Sequence, residues 1–87
     1  MKREVEISQV ISDLTELFKI EDYHKFRSFK TDNEFFINKQ QIERFEVIDM
    51  LQKYFNDKVI KGGYLIVDPI TFVFTTFKVL EGKPNNQ

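Results

Sequence analysis

Cysteine is absent from this chain, and so is alanine. Without a thiol there is no disulfide, no thiolate nucleophile and no Cys-based zinc site, so stability cannot rest on bridges and a cytoplasmic location is the simplest expectation. The single histidine, His24, has no partner acid at motif spacing and makes no transition-metal site. Ser8, Ser12 and Ser28 lie outside any nucleophile elbow, and the carboxylates do not assemble a calcium loop. The expectation is a chain that is not an enzyme and takes no cofactor and no metal.

Long hydrophobic runs are missing too. No segment approaches the ~18 apolar residues of a membrane span, and the opening "MKREVEISQV" lacks the apolar core of a signal peptide, so no membrane association is expected. Nor is there an excess of one charge. Thirteen Lys and Arg against fourteen Asp and Glu leave a net charge of -1, which gives no strong long-range attraction to nucleic acid or an anionic surface.

Aromatic residues are plentiful. Ten Phe and three Tyr serve a chain of 87 residues, a size that buries only roughly 60 to 65% of its unfolded surface. Each aromatic side chain can bury ~150 to 250 Å², so the core is expected to be largely aromatic. One domain over residues 1–82 and a polar tail over 83–87 account for the whole length.

The pattern predicts an α+β fold of two helices on a small antiparallel sheet, in the approximate order α-β-β-α-β-β. In "ISQVISDLTELFKI", Ile7, Val10, Ile11, Leu14, Leu17 and Phe18 share one helical stripe. That predicts a helix over 8–20, with Ser8 as N-cap and Asp13, Glu16 and Lys19 toward water. The preceding "EVEI" reads as a short strand. The segment "EDYHKFRSFKTDNEFFIN" reads either as two strands over 25–30 and 34–38, turning at Thr31-Asp32-Asn33, or as a short helix followed by a strand. The three-residue spacing of Phe26 and Phe29 suits the helix. Asn38 and Gln41 form a capping box for a second helix over 39–56. Its stripe is Ile42, Phe45, Ile48, Leu51, Tyr54 and Phe55, widened by Val47 and Met50. Gly62-Gly63 and Asp68-Pro69 then punctuate two strands over 63–68 and 71–80, joined by a turn with proline in second place.

"TFVFTTFKVL" has two alternating faces, Phe72, Phe74, Thr76, Lys78, Leu80 and Val73, Thr75, Phe77, Val79, and neither is polar. Its partner "YLIVD" repeats the pattern, as strands covered on both faces do. Two helices cover one face of a small sheet. The other is expected to meet a protein partner or a second copy, through Phe72, Phe74, Tyr64 and Ile66, unless the N-terminal segment or "FKTDNEFF" folds over it. Burying even ~400 Å² of such a face at ~25 cal/mol per Å² is worth on the order of 10 kcal/mol before association costs. The acidic row Glu43, Glu46 and Asp49 on the second helix adds a surface suited to a basic protein.

These features predict a small non-catalytic protein-protein interaction module. The lack of alanine beside abundant Lys, Ile, Phe and Asn fits an AT-rich genome, and one concrete version is a phage or mobile-element inhibitor of a host protein. The alternative is a winged-helix nucleic-acid-binding regulator with "EDYHKFRSF" as second helix and the final hairpin as wing. In it Lys25, Arg27 and Lys30 meet phosphates while Gln40, Gln41 and Arg44 read bases. Glu43, Glu46 and Asp49 on the reading helix repel phosphates, which favours the first reading. Gel retardation separates the two. A regulator retards DNA with a steep salt dependence and loses that on replacement of Lys25, Arg27 and Lys30, whereas the interaction module expected here is indifferent to the same replacements.

Overall fold

The computed structural model describes residues 1–20, 22–25, 33–37 and 42–79. Along the chain run β1 (Arg3–Val5), α1 (Ile7–Phe18), β2 (Asp22–Lys25), β3 (Asn33–Phe36), α2 (Arg44–Tyr54), a 3-10 turn (Phe55–Asp57), β4 (Lys58–Ile60), β5 (Gly63–Asp68) and β6 (Val73–Lys78). The expected α+β class and element order hold. A four-stranded antiparallel sheet is ordered β2-β3-β6-β5, and one unexpected feature is added: β1 and β4 form a separate parallel pair.

Helix α1 buries Val10, Leu14 and Phe18, a four-residue spacing that keeps one line of the helix against the sheet. Its N-cap is Glu6 rather than Ser8, and the carbonyl of Glu6 accepts the N–H groups of Gln9 and Val10 at 3.0 and 3.1 Å. The helix stops at Phe18, short of the predicted Ile20. Lys19 takes left-handed geometry at φ 52°, and the N–H of Ile20 returns to the carbonyl of Thr15 at 3.1 Å. This ending turns Ile20 back into the core.

In the next segment Asp22–Lys25 and Asn33–Phe36 are paired strands, while 26–30, most of the first strand expected there, lies outside the described residues. Tyr23 pairs with Phe35 and Lys25 with Asn33, so Asn33 opens β3 instead of ending a turn. Phe26, Phe29, Thr31, Asp32, the Asn38 and Gln41 cap, Leu80 and the tail at 83–87 lie outside the described residues.

Helix α2 starts at Arg44 behind an N-cap, Glu43, that makes no side-chain bond. Its inward line is Val47, Met50, Leu51 and Tyr54, with Val47 fully buried. Phe45 and Ile48, expected on the inward stripe, are exposed. The reason is angular. With Val47 at the centre of contact, Phe45 falls about 160° around the helix at ~100° per residue, on the far side.

Strand β5 spans the predicted residues. Strand β6 begins two positions late because Thr71 and Phe72 belong to the turn. The Asp68 carboxylate accepts the N–H groups of Ile70 at 2.9 Å and Thr71 at 3.4 Å, while Phe72 donates to the Asp68 carbonyl at 2.8 Å. Phe72 sits at φ 58°, which costs a bulky residue about 1 to 2 kcal/mol. Packing of its half-buried side chain against the core offsets that cost.

The core forms where α1 and α2 meet one face of the sheet. Phe74 and Phe35 are fully buried there, and the Phe18 ring meets Phe74 edge to face at 5.1 Å between centroids. Asn33 and Thr76, register partners on the same face, are buried too.

Two adjacent glycines serve different ends. Gly62 has φ 67° in open space, whereas a Cβ on Gly63 would lie 2.5 Å from the Phe77 carbonyl oxygen and 2.6 Å from Cδ1 of Ile7. Gly63→Ala forces backbone and packing apart and is expected to cost about 1 to 3 kcal/mol or more. Gly62→Ala meets only the left-handed penalty, about 1 to 2 kcal/mol. Urea unfolding of the two variants is expected to rank Gly63→Ala as the more damaging.

Candidate functional site

Alternation decides which side chains leave the core. Because Phe74 and Thr76 point toward the helices, Val73, Thr75 and Phe77 point to the opposite face of β6. The register places Tyr64 beside Phe77, Ile66 beside Thr75, Glu34 beside Thr75 on the other side, and Phe36 beside Val73. Tyr64 and Phe77 stack with centroids 5.2 Å apart and planes 17° from parallel. Tyr64 keeps 41% and Ile66 50% of its surface exposed. The result is a sheet face, pointing away from both helices, on which Tyr64, Ile66, Val73 and Phe77 form an apolar strip next to Thr75 and Glu34.

This face corrects the sequence-based choice of residues. Tyr64 and Ile66 lie on it as expected. Phe74 does not, being fully buried, and Phe72 lies in the turn with its ring packed on the core. Val73, Phe77 and Phe36 take their places. The signal was present, since "YLIVD" and "TFVFTTFKVL" each offered two apolar sets, but pairing register alone matches one set to the other. Neither segment proposed as a cover does that work in its described part: β1 pairs with β4, and Asn33–Phe36 is itself a strand of the sheet.

Glu43, Glu46 and Asp49 are all exposed. Asp49 meets Lys53 at 3.2 Å across one helical turn, an exposed pair worth about 0.3 to 0.5 kcal/mol. Phe45, 67% exposed, and Ile48 stand among these acids, an apolar feature that the sequence reading assigned to the core. Arg44 opens α2 and is exposed, and Lys25 ends β2. Arg27, Lys30, Gln40 and Gln41 lie outside the described residues. The winged-helix arrangement needs a helix through Asp22–Lys25, which is strand, and a projecting hairpin, whereas β6 is paired on both sides.

A groove of about 510 Å³ runs beside β5, lined by Leu51, Phe55, Val59, Ile60 and Leu65 among others. Lys58 also lines it but is held back: its Nζ donates to the Tyr54 carbonyl at 3.0 Å and to Asp57 at 3.1 Å, and stands 4.4 Å from the Tyr54 ring centre. The Lys58 ammonium in turn holds the Asp57 carboxyl below its usual range. Tyr54 anchors this corner to α1 by donating its hydroxyl to Asp13, which the sequence reading had placed toward water.

Among the described residues no group of His, Cys, Asp and Glu is arranged to hold a metal ion, and no helix is long and apolar enough to cross a membrane. Comparison with protein-family models, curated proteins and solved structures finds no match.

Burial raises the Tyr54 hydroxyl well above the ordinary tyrosine value of 10.0, and the hydrogen bond to Asp13 adds to the rise. A raised pKa means that the folded chain holds this proton more tightly than the unfolded chain. The associated stability is therefore complete below pH 10 and is lost as pH climbs from there toward the folded value. Chemical unfolding at a series of alkaline pH values is expected to show a stability loss above pH 10 that is shallower in Tyr54→Phe than in the parent chain.

Proposed function

We propose that this chain works by binding a protein surface, with the sheet face of Tyr64, Ile66, Val73 and Phe77 as its contact. The observation that carries the reading is the stacked Tyr64 and Phe77 pair beside a half-exposed Ile66, on the face away from both helices. Aromatic side chains give large contact area for few lost rotamers, which is why they dominate binding energy at interfaces. Apolar side chains gathered on one side of a sheet, two of them exposed, favour an interaction surface over ordinary solvated exterior. Occupation of a host protein's surface by an inhibitor is one form such an activity takes.

Thr75 lies at the centre of this face, between Ile66 and Glu34. Thr75→Glu puts a charge where the partner must exclude water while leaving the core side of β6 unchanged. Proteins retained on the immobilised parent chain from cell lysate are expected to be lost from an equally folded Thr75→Glu chain. Equal retention by both overturns the reading, as does retention by neither together with an absence of self-association.

A further inference from the structure

Strand β5 is an edge of the four-stranded sheet among the described residues. The Val79 N–H donates to the Gly62 carbonyl at 2.7 Å, and in an antiparallel ladder hydrogen-bonded pairs alternate. Tyr64, Ile66 and Asp68 therefore direct their backbone groups at β6, while Gly63, Leu65 and Val67 direct theirs outward. Natural edges are blunted by proline, by lysine or by a bulge. The run "GYLIVD" carries none of these, in contrast with "DYHK" at the opposite edge. Beside the open edge lies the apolar groove between β5, β4 and the end of α2.

We propose that β5 pairs antiparallel with β5 of a second copy of this chain, joining the two sheets into one. The inference goes beyond the protein-binding reading, since the second copy meets the strand edge and not the face centred on Thr75. Outward groups must meet outward groups, and of the registers that allow this the one with its two-fold axis at Leu65 pairs all three outward residues, with Gly63 beside Val67 of the second copy. On the helix side, Leu65 and Val67 of the second copy enter the groove against Leu51, Phe55 and Ile60. On the other side, Tyr64 comes beside Ile66 of the second copy, and the two apolar faces become one. Charge agrees with this direction. Lys61 precedes β5 and Asp68 ends it, so antiparallel pairing brings the cation of one copy to the anion of the other. Lys61 is free to turn, since its present contact with Glu6 is a 3.7 Å exposed one. Asp68 stays ionised, because the Ile70 N–H holds its carboxyl below the ordinary range.

Amide hydrogen exchange read against protein concentration, with sedimentation on the same samples, tests this pairing. The expected result is a dimer in which the Leu65 and Val67 amides slow as concentration rises, while Tyr64 and Ile66 are protected throughout. Leu65→Pro removes an outward N–H without removing a bond to β6, and is expected to abolish the dimer. Thr75→Glu is expected to keep it. Should Leu65→Pro fail to fold, the exchange pattern of the parent chain decides alone. A chain that stays monomeric to millimolar concentration overturns the edge pairing and leaves the face reading standing if Thr75→Glu still releases a different protein. A dimer with freely exchanging Leu65 that Thr75→Glu dissociates overturns the edge pairing in favour of face-to-face contact. An extended segment of another protein that slows the Leu65 amide of a monomeric chain overturns the second copy as occupant.

Discussion

Side chains on a strand alternate between two faces, and in this chain a single strand transmits that constraint to everything around it. β6 is hydrogen-bonded on both sides. Once the Phe74 ring is seated against Phe18, the neighbours of Phe74 must leave the core, and the register passes the same choice to β3 and β5. Phe35, Leu65 and Val67 are thereby turned inward. Phe36, Tyr64 and Ile66 are turned outward by the same step. The interior and the candidate contact surface are two results of one packing decision.

Elements with a strong periodic signal were legible in the sequence. The buried line of α1 and the β5 bounds needed only local pattern, because Val10, Leu14 and Phe18 repeat at helical spacing and Gly63 and Pro69 bracket the strand, although Leu17, expected on the same stripe, is exposed. What escaped was non-local. Phe72 was counted into β6 because its type suits a strand, yet the Asp68 carbonyl captures its N–H and bends the chain into left-handed geometry. That capture depends on three-dimensional closure of the turn. The error over α2 has a similar origin: with apolar residues on several sides, Phe45, Val47 and Ile48 could each have marked the buried line, and only contact with the rest of the core selects Val47. Of the expected contact residues, Tyr64 and Ile66 lie on the outward face and Phe74 does not, since matching the two strands requires their register.

The polar corner formed by Asp13, Tyr54, Lys58 and Asp57 gives the aromatic core a fixed boundary. Tyr54 also meets Phe55 edge to face at 4.8 Å, so the end of α2 is held from two directions before the chain enters β4. The apolar groove lies next to this corner. Its apolar lining of Leu51, Phe55, Val59 and Ile60 stands beside β5, an edge strand among the described residues, and backbone hydrogen bonding and side-chain burial are offered at the same place.

The parallel pairing of Arg3 with Lys58 and of Val5 with Ile60 carries an entropic consequence. The β5 and β6 ladder closes across a short turn, but β1 must find β4 over an intervening stretch that includes both helices. Loop closure of that length has to be met before any ladder bond is returned. Of the ladders among the described residues this pair encloses the longest stretch of chain, so the amino-terminal strand is the pairing whose closure costs the most chain entropy.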